Sequence, residues 1–485
     1  MKKAYIIIAA AAMLVAGCQK ERTFNGMELV AEGFGGGAKA AVSGNASYWV
    51  EGEAVRINNE TKTVQIEGNT AYVTDVAEAA QYRALYPASL NDSYDGSSSS
   101  VTVAIPASYE WAEDGSGRQV LDVPMAAYGT GGDRLVFKHL TAAITVEITN
   151  YYGFPVLVDN VSVSSSDAGT QYQLCGSKEI SLTSSDISVA ANASNPNNTV
   201  QVNFNDHSLR IDQGATTRVQ VPVLPVGSGN KFSISVTVHK EGNAAVTKTY
   251  TKTQTTGGAM GRAKMGYAGD TVGYVFTISS TEKVIIACGN LQHIGDTYQF
   301  AANQYDYYGT DQAEHQDMFS WNSYPWSSSS WYSVQGLDRM VYLFNTRSVS
   351  NTLSADARFT MAKIGTINGV IIFPDEYVHP DGTGFTAGTY NEASNYTATV
   401  SVAGWAKMEA AGCVFLPAAG YNNGTTWYEV GSSVCWGTLQ QADPYYGQYY
   451  GYRYAYFNAS NVPGNSIPYF PKAYLTSVRM VMNVH

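Results

Sequence analysis

Apolar and polar positions alternate most cleanly in LVFKHLTAAITVEITN, residues Leu135 to Asn150. Ile144, Val146 and Ile148 share one face, and Thr145, Glu147 and Thr149 the other, which is the period-two pattern of a half-buried strand. Phe137 and His139 have the opposite parity to Ile144, so one face cannot hold both sets. A bulge or turn is therefore expected between Leu140 and Ala143. Shorter strand-like runs precede it: YWVEGEAVRIN from Tyr48, TVQIEG, TAYVTDV and VTVAIPAS from Val101. They are separated by turn chemistry such as NDSYDGSSSS and the DGSG run from Asp114. PVLVDNVSVSS, NTVQVNFN, TTRVQVPVLPV and FSISVTVHKEG continue the alternation between 153 and 277. This spacing predicts β-sandwiches. No long stretch sustains a helical period.

Composition sharpens that picture. At 485 residues the chain is too long for one core, and about two to four domains are expected. Only 14% of residues are charged, while 46 Gly and 35 Tyr favour an exported all-β protein over a helical cytosolic one. The net charge of -11 argues against nucleic acid as an electrostatic partner.

Lys2 and Lys3 followed by the apolar run Ala4 to Ala16 read as a signal peptide, residues 1–17. The run ends in Val15-Ala16-Gly17-Cys18, which resembles a bacterial lipobox and implies acylation (a palmitate-type anchor) at Cys18, with 18–30 as a tether. Each buried CH₂ contributes about 0.8 kcal/mol to such an anchor. No later segment is apolar enough to span a bilayer. The remaining cysteines are Cys175, Cys288, Cys413 and Cys435. Four cysteines allow three pairings. Cys413 and Cys435 are the foremost pair, but buried free thiols, in contexts such as IIACG and AAGCVF, are the preferred reading.

Trp49, Gly52 and Glu53, then Tyr86-Pro87, then Phe137, His139, Leu140, Ala143 and Val146 form an ordered set. With the lipobox, that order resembles the fimbrillin-like lipoproteins of Bacteroidales, the precursors of type V pili. The likeness implies two transthyretin-like β-sandwich domains, expected at 31–152 and 153–277. It also implies fimbrial partners joined by donor-strand exchange, and cleavage after an Arg near the first strands, with Arg22 and Arg56 as the available positions. His139 and Glu53 are expected to be structural, as a core histidine and a turn residue.

Beyond residue 278 the cadence changes. GNLQ from Gly289, FAANQY from Phe300, PD at Pro374, FLPAAGY from Phe415 and SVRMV from Ser477 resemble a Bacteroidetes surface domain, itself similar to the C-type-lectin-like and formylglycine-generating-enzyme-like folds. The fold class expected is thus mainly β, with an α+β C-type-lectin-like domain at 278–485. Val434-Cys435-Trp436-Gly437-Thr438 departs from that domain's usual Tyr-Trp-Ser-Ser. Formylglycine-generating enzymes use a reactive Cys pair binding copper. Cys413 and Cys435 lie in strand-like motifs without basic neighbours, so no catalytic residue, cofactor or metal is expected. Asp375 and Glu376 do not identify a glycosidase pair without geometry.

Two aromatic clusters are the candidate binding residues: PYYGQYYGYRYAYF, with Tyr445, Tyr446, Tyr449, Tyr450 and Tyr452, and WNSYPWSSSSWY, with Trp326 and Trp331. Tyr and Trp among Ser and Gly offer rigid contact area at low entropy cost, to proteins or to sugar rings. The competing reading is that these aromatics staple long loops onto a small core. The expected function is a surface-anchored outer-membrane fimbrial subunit, a tip pilin or adhesin binding a host or bacterial ligand through its last domain. The alternative is a non-pilus outer-membrane lipoprotein that binds glycans.

Overall fold

The protein is described by a computed structural model covering residues 26–32, 49–113, 119–131, 133–165, 173–184, 187–189, 194–204, 209–308, 315–320, 327–328, 330–334, 336–441, 451–463, 469–471 and 474–484. It is mainly β.

The first unit is one sheet in the order Glu60–Thr63, Ala54–Ile57, Tyr82–Tyr86, Met125–Gly129, Arg134–His139, Gly26–Ala31, Thr70–Thr74 and Gln65–Glu67. Its two edge strands are separated in sequence only by the buried Val64, so the sheet curls until its edges meet. Alternate residues of most of its strands point into one core, including Met27, Leu29, Val55, Val73, Leu135 and Phe137. Trp49 lies edge-on to Tyr86 at 5.0 Å and to Phe137 at 5.1 Å. The Tyr86 hydroxyl donates to Glu53 Oε1 at 2.6 Å, and Val50 N donates to Glu53 Oε2 at 3.0 Å. Three separated sequence motifs therefore build one site of packing.

Leu140 and Thr141 interrupt the strand pattern where the phase change requires it. Arg134–His139 sends Leu135 and Phe137 into the first core. After the break, Ala142–Tyr151 sends Ile144, Val146 and Ile148 into a second, larger core. Each half of the stretch faces a different core, which is why no single parity fits both. His139 is 1% exposed, and burial holds its imidazole down to about 4. Arg262 Nη1 bridges the two units, donating to Glu32 Oε2 at 2.6 Å and to the His139 carbonyl at 2.9 Å.

Ala142–Tyr151 pairs antiparallel with Thr216–Val223 and parallel with Met265–Gly273. A second sheet centres on Val156–Ser165 and Phe232–Lys240. Ser100–Ile105 and Ser108–Glu110 also join this unit, pairing with Cys175–Ser181 and Thr199–Asn203. Strand pairing thus crosses the expected division at 152/153, because hydrophobic residues on both sides of it complete one core.

The third unit packs Phe359–Ile364, Ile367–Ile372 and Val414–Pro417 beneath the helix Val402–Ala410, whose N-cap Ser401 accepts from Gly404 N at 3.0 Å. Its separated motifs meet at two buried arginines. Arg479 donates to the carbonyls of Ala287 at 3.0 Å, Gln304 at 3.3 Å and Phe415 at 2.6 Å. Arg347 donates to Asp375 Oδ1 at 2.8 Å and to the carbonyls of Leu343 at 2.7 Å and Phe373 at 2.6 Å. Asp375 is an arginine partner.

Candidate functional site

The aromatic surface of the third unit is built on the sheet containing Tyr421–Asn422, Trp427–Tyr428, Leu475–Ser477, Val434–Gln441 and Gly451–Phe457. An Asn-Gly turn folds the first two strands into a hairpin. Asn422 Oδ1 accepts from Gly424 N at 2.6 Å, and Asn423 Oδ1 accepts from Thr426 N at 2.9 Å. That turn sets Tyr421 directly opposite Tyr428. Their rings stack at 5.2 Å and 17°, and Tyr474 stacks on the other side of Tyr421 at 5.9 Å and 10°. Three nearly parallel rings form a ladder whose outer member, Tyr428, is 39% exposed.

Polar groups border the rings. Asn423 Nδ2 donates to the Tyr428 hydroxyl at 3.2 Å. Further across the same sheet, on Gly451–Phe457, the Tyr456 hydroxyl donates to Glu429 Oε2 at 2.6 Å and accepts from Asn458 Nδ2 at 2.8 Å. Burial, then the Glu429 carboxylate, push Tyr456 up to about 12, and burial raises Tyr421. Both phenols stay protonated at neutral pH. The surface offers flat apolar faces edged by amide and hydroxyl groups, suited to stacking and hydrogen bonding.

Of the sequence candidates, Cys18, Trp326, Tyr445, Tyr446, Tyr449 and Tyr450 lie outside the described residues. Tyr452 is on the strand Gly451–Phe457, in register with Gln441 and Phe470. Trp331 belongs to a different sheet, half-buried and edge-on to Phe300 at 5.1 Å, so the ladder does not include it. Tyr421 and Tyr428 were missed, although the Asn-Gly between them is a readable hairpin signal; nothing local marks Tyr474.

The four cysteines are buried thiols outside any disulfide, which removes the Cys413–Cys435 pairing. Cys413 and Cys435 sit in different clusters, the first with Trp405 and Phe415 and the second with Tyr454. Burial raises both thiols, away from the thiolate state that reactivity needs. Among the described residues no group of three or more His, Cys, Asp or Glu could hold a metal. No described helix is long and apolar enough to cross a membrane.

No protein-family model matches the chain, and no curated protein matches it. Solved structures with some likeness include proteins of Bacteroides species. A Bacteroides ovatus protein proposed to act in cell adhesion is 12% identical, with 52% of this chain and 93% of that one covered and a TM-score of 0.30. A Bacteroides uniformis protein of the same description is 15% identical, over 52% and 94%, with a TM-score of 0.29. A fimbrial protein of Bacteroides vulgatus is 8% identical, over 51% and 95%, with a TM-score of 0.22. Likeness at this level carries no argument about what this chain binds or assembles with.

Proposed function

We propose that this chain is a surface-anchored fimbrial subunit at a filament end, whose third unit holds a ligand on the tyrosine ladder. The observation that carries the binding role is the stack Tyr474–Tyr421–Tyr428, part-exposed and edged by Asn423. Parallel phenol rings are rigid and amphipathic, and bind flat apolar faces at small entropic cost. Binding rather than catalysis is the role assigned.

Strand availability supports the filament position. Donor-strand exchange needs a strand that one subunit can give to the next. Met480–Asn483 is paired on both sides, with Lys283–Ile286 and Trp331–Ser333, and donating it would dismantle the third unit. Such a subunit accepts a strand and caps the filament. Acylation at Cys18 would hold the precursor on the outer membrane.

The test probes the full mature chain on arrays of glycans and matrix proteins, with Tyr421→Ala and Tyr428→Ala beside it. Loss of the bound ligand in both variants is expected, and retention in both would remove the ladder from the proposal. Immunogold labelling at one end of purified fimbriae is expected; label confined to membrane patches would favour a non-pilus glycan-binding lipoprotein.

A further inference from the structure

A groove of about 670 Å³ runs between the second and third units and shares no residue with the tyrosine ladder. Its size lies within the ~300–1,000 Å³ usual for small-ligand sites. One side is the end of the strand Ala142–Tyr151, with Tyr151 and Thr149, beside Thr216 and the turn residue Gln213. The other side carries Tyr332 and Asn483. Ile285 and Met482, both buried, form the base.

The chemistry of this lining is selective. None of its residues carries a formal charge. The charges felt by Tyr332 are Glu282 and Arg339, which already pair with each other at 2.8 Å. An ionic ligand would lose hydration there without gaining a counter-charge. What the groove does offer is two phenol rings, two carboxamides and several hydroxyls over an apolar base. Some of these groups are held in place: Tyr332 donates to Asn483 Oδ1, and the Thr149 and Thr216 hydroxyls lie 2.9 Å apart.

The walls are also fixed relative to each other. A Cβ at Gly153 would lie 1.9 Å from the Ile286 carbonyl oxygen, so the units touch backbone to backbone beside the groove. At Gly214 a Cβ would meet Met482 Sδ at 3.0 Å. A site whose walls are already locked spends little ordering entropy on binding.

We propose that this groove binds a short, neutral oligosaccharide, its hydroxyls met by the amides and hydroxyls and its C–H faces by the tyrosines. The site does not depend on the filament role or on the ladder. The test prints neutral gluco-, manno- and galacto-oligosaccharides beside sialylated and sulfated ones and probes them with the full mature chain. Glycans whose retention survives Tyr428→Ala, and which therefore do not use the ladder, are then titrated with the chain and with Gln213→Ala and Thr216→Trp, each checked for an unchanged thermal transition. A neutral glycan is expected in that set, its binding weakened at least tenfold by Gln213→Ala and by Thr216→Trp. A set that is empty or holds charged glycans alone, or a neutral glycan bound equally well by both groove variants, would overturn it.

Discussion

Lys240 Nζ donates to Glu409 Oε1 at 2.7 Å across the seam between the second and third units, with side chains only 6% and 4% exposed. Lys240 also donates to the Ala302 carbonyl at 3.1 Å and lies 5.0 Å from the centre of the Phe154 ring. Tyr152 adds a bond to the Ala410 carbonyl. A charge buried this deeply is tolerated because its partner and further acceptors are in place.

Removing one member should therefore cost more than removing both. Lys240→Met or Glu409→Leu alone is expected to destabilise the protein by about 3–5 kcal/mol, and the double change to recover most of that loss. Urea unfolding of the three variants measures it; additive losses would show that the two charges do not act as a pair.

Glu53 makes a prediction about pH. Burial pushes its carboxyl up from 4.5 to about 7, against the lowering effect of the Tyr86 hydroxyl and Val50 N–H. Between those values the folded chain holds a proton that the unfolded chain has lost, so this group's contribution falls as pH rises through the window and levels off above it. Burial of Asp317, raised from 3.8 to about 7, acts in the same sense. His139, lowered by burial from 6.5 to about 4, acts in the opposite one. The stability difference between Glu53→Gln and the parent isolates the effect. It should shift in favour of the variant from about pH 4.5 to 7; a pH-independent difference would refute the buried-acid reading.

The thiols can be counted chemically. Cys175, Cys288, Cys413 and Cys435 are buried, and burial raises Cys175 to about 11. A chain beginning after Cys18 should react with Ellman's reagent at none of them when native and at all of them in denaturant. Fewer thiols after unfolding without reductant would indicate a disulfide.

Tyr428 separates binding from stability. Because its ring is 39% exposed at the end of the stack, Tyr428→Ala should cost little more than the stacking contact, about 0.5–1.5 kcal/mol, well short of the ~3–5 kcal/mol of a buried aromatic. Ligand binding to the ladder should nevertheless fall. A large drop in thermal midpoint would make the ring a structural staple.

Local pattern and global arrangement divide cleanly in this protein. The alternation around Ile144 and the parity conflict with Phe137 predict a strand break between Leu140 and Ala143 from sequence alone. Side-chain period is a property of neighbouring residues. The motif order also singles out Trp49, Glu53, Tyr86 and Phe137, and the aromatic density directs attention to the last unit. That each half of the broken strand serves a different core depends on partners far along the chain, Val55 and Val73 on one side and Val219 and Val221 on the other. Likewise Arg479 reads as one residue of a motif until three distant carbonyls converge on it. The aromatic run from Pro444 stands out by composition, yet the ladder forms from Tyr421, Tyr428 and Tyr474. Ring stacking depends on strand register and sheet order, which long-range pairing decides and local periodicity does not carry.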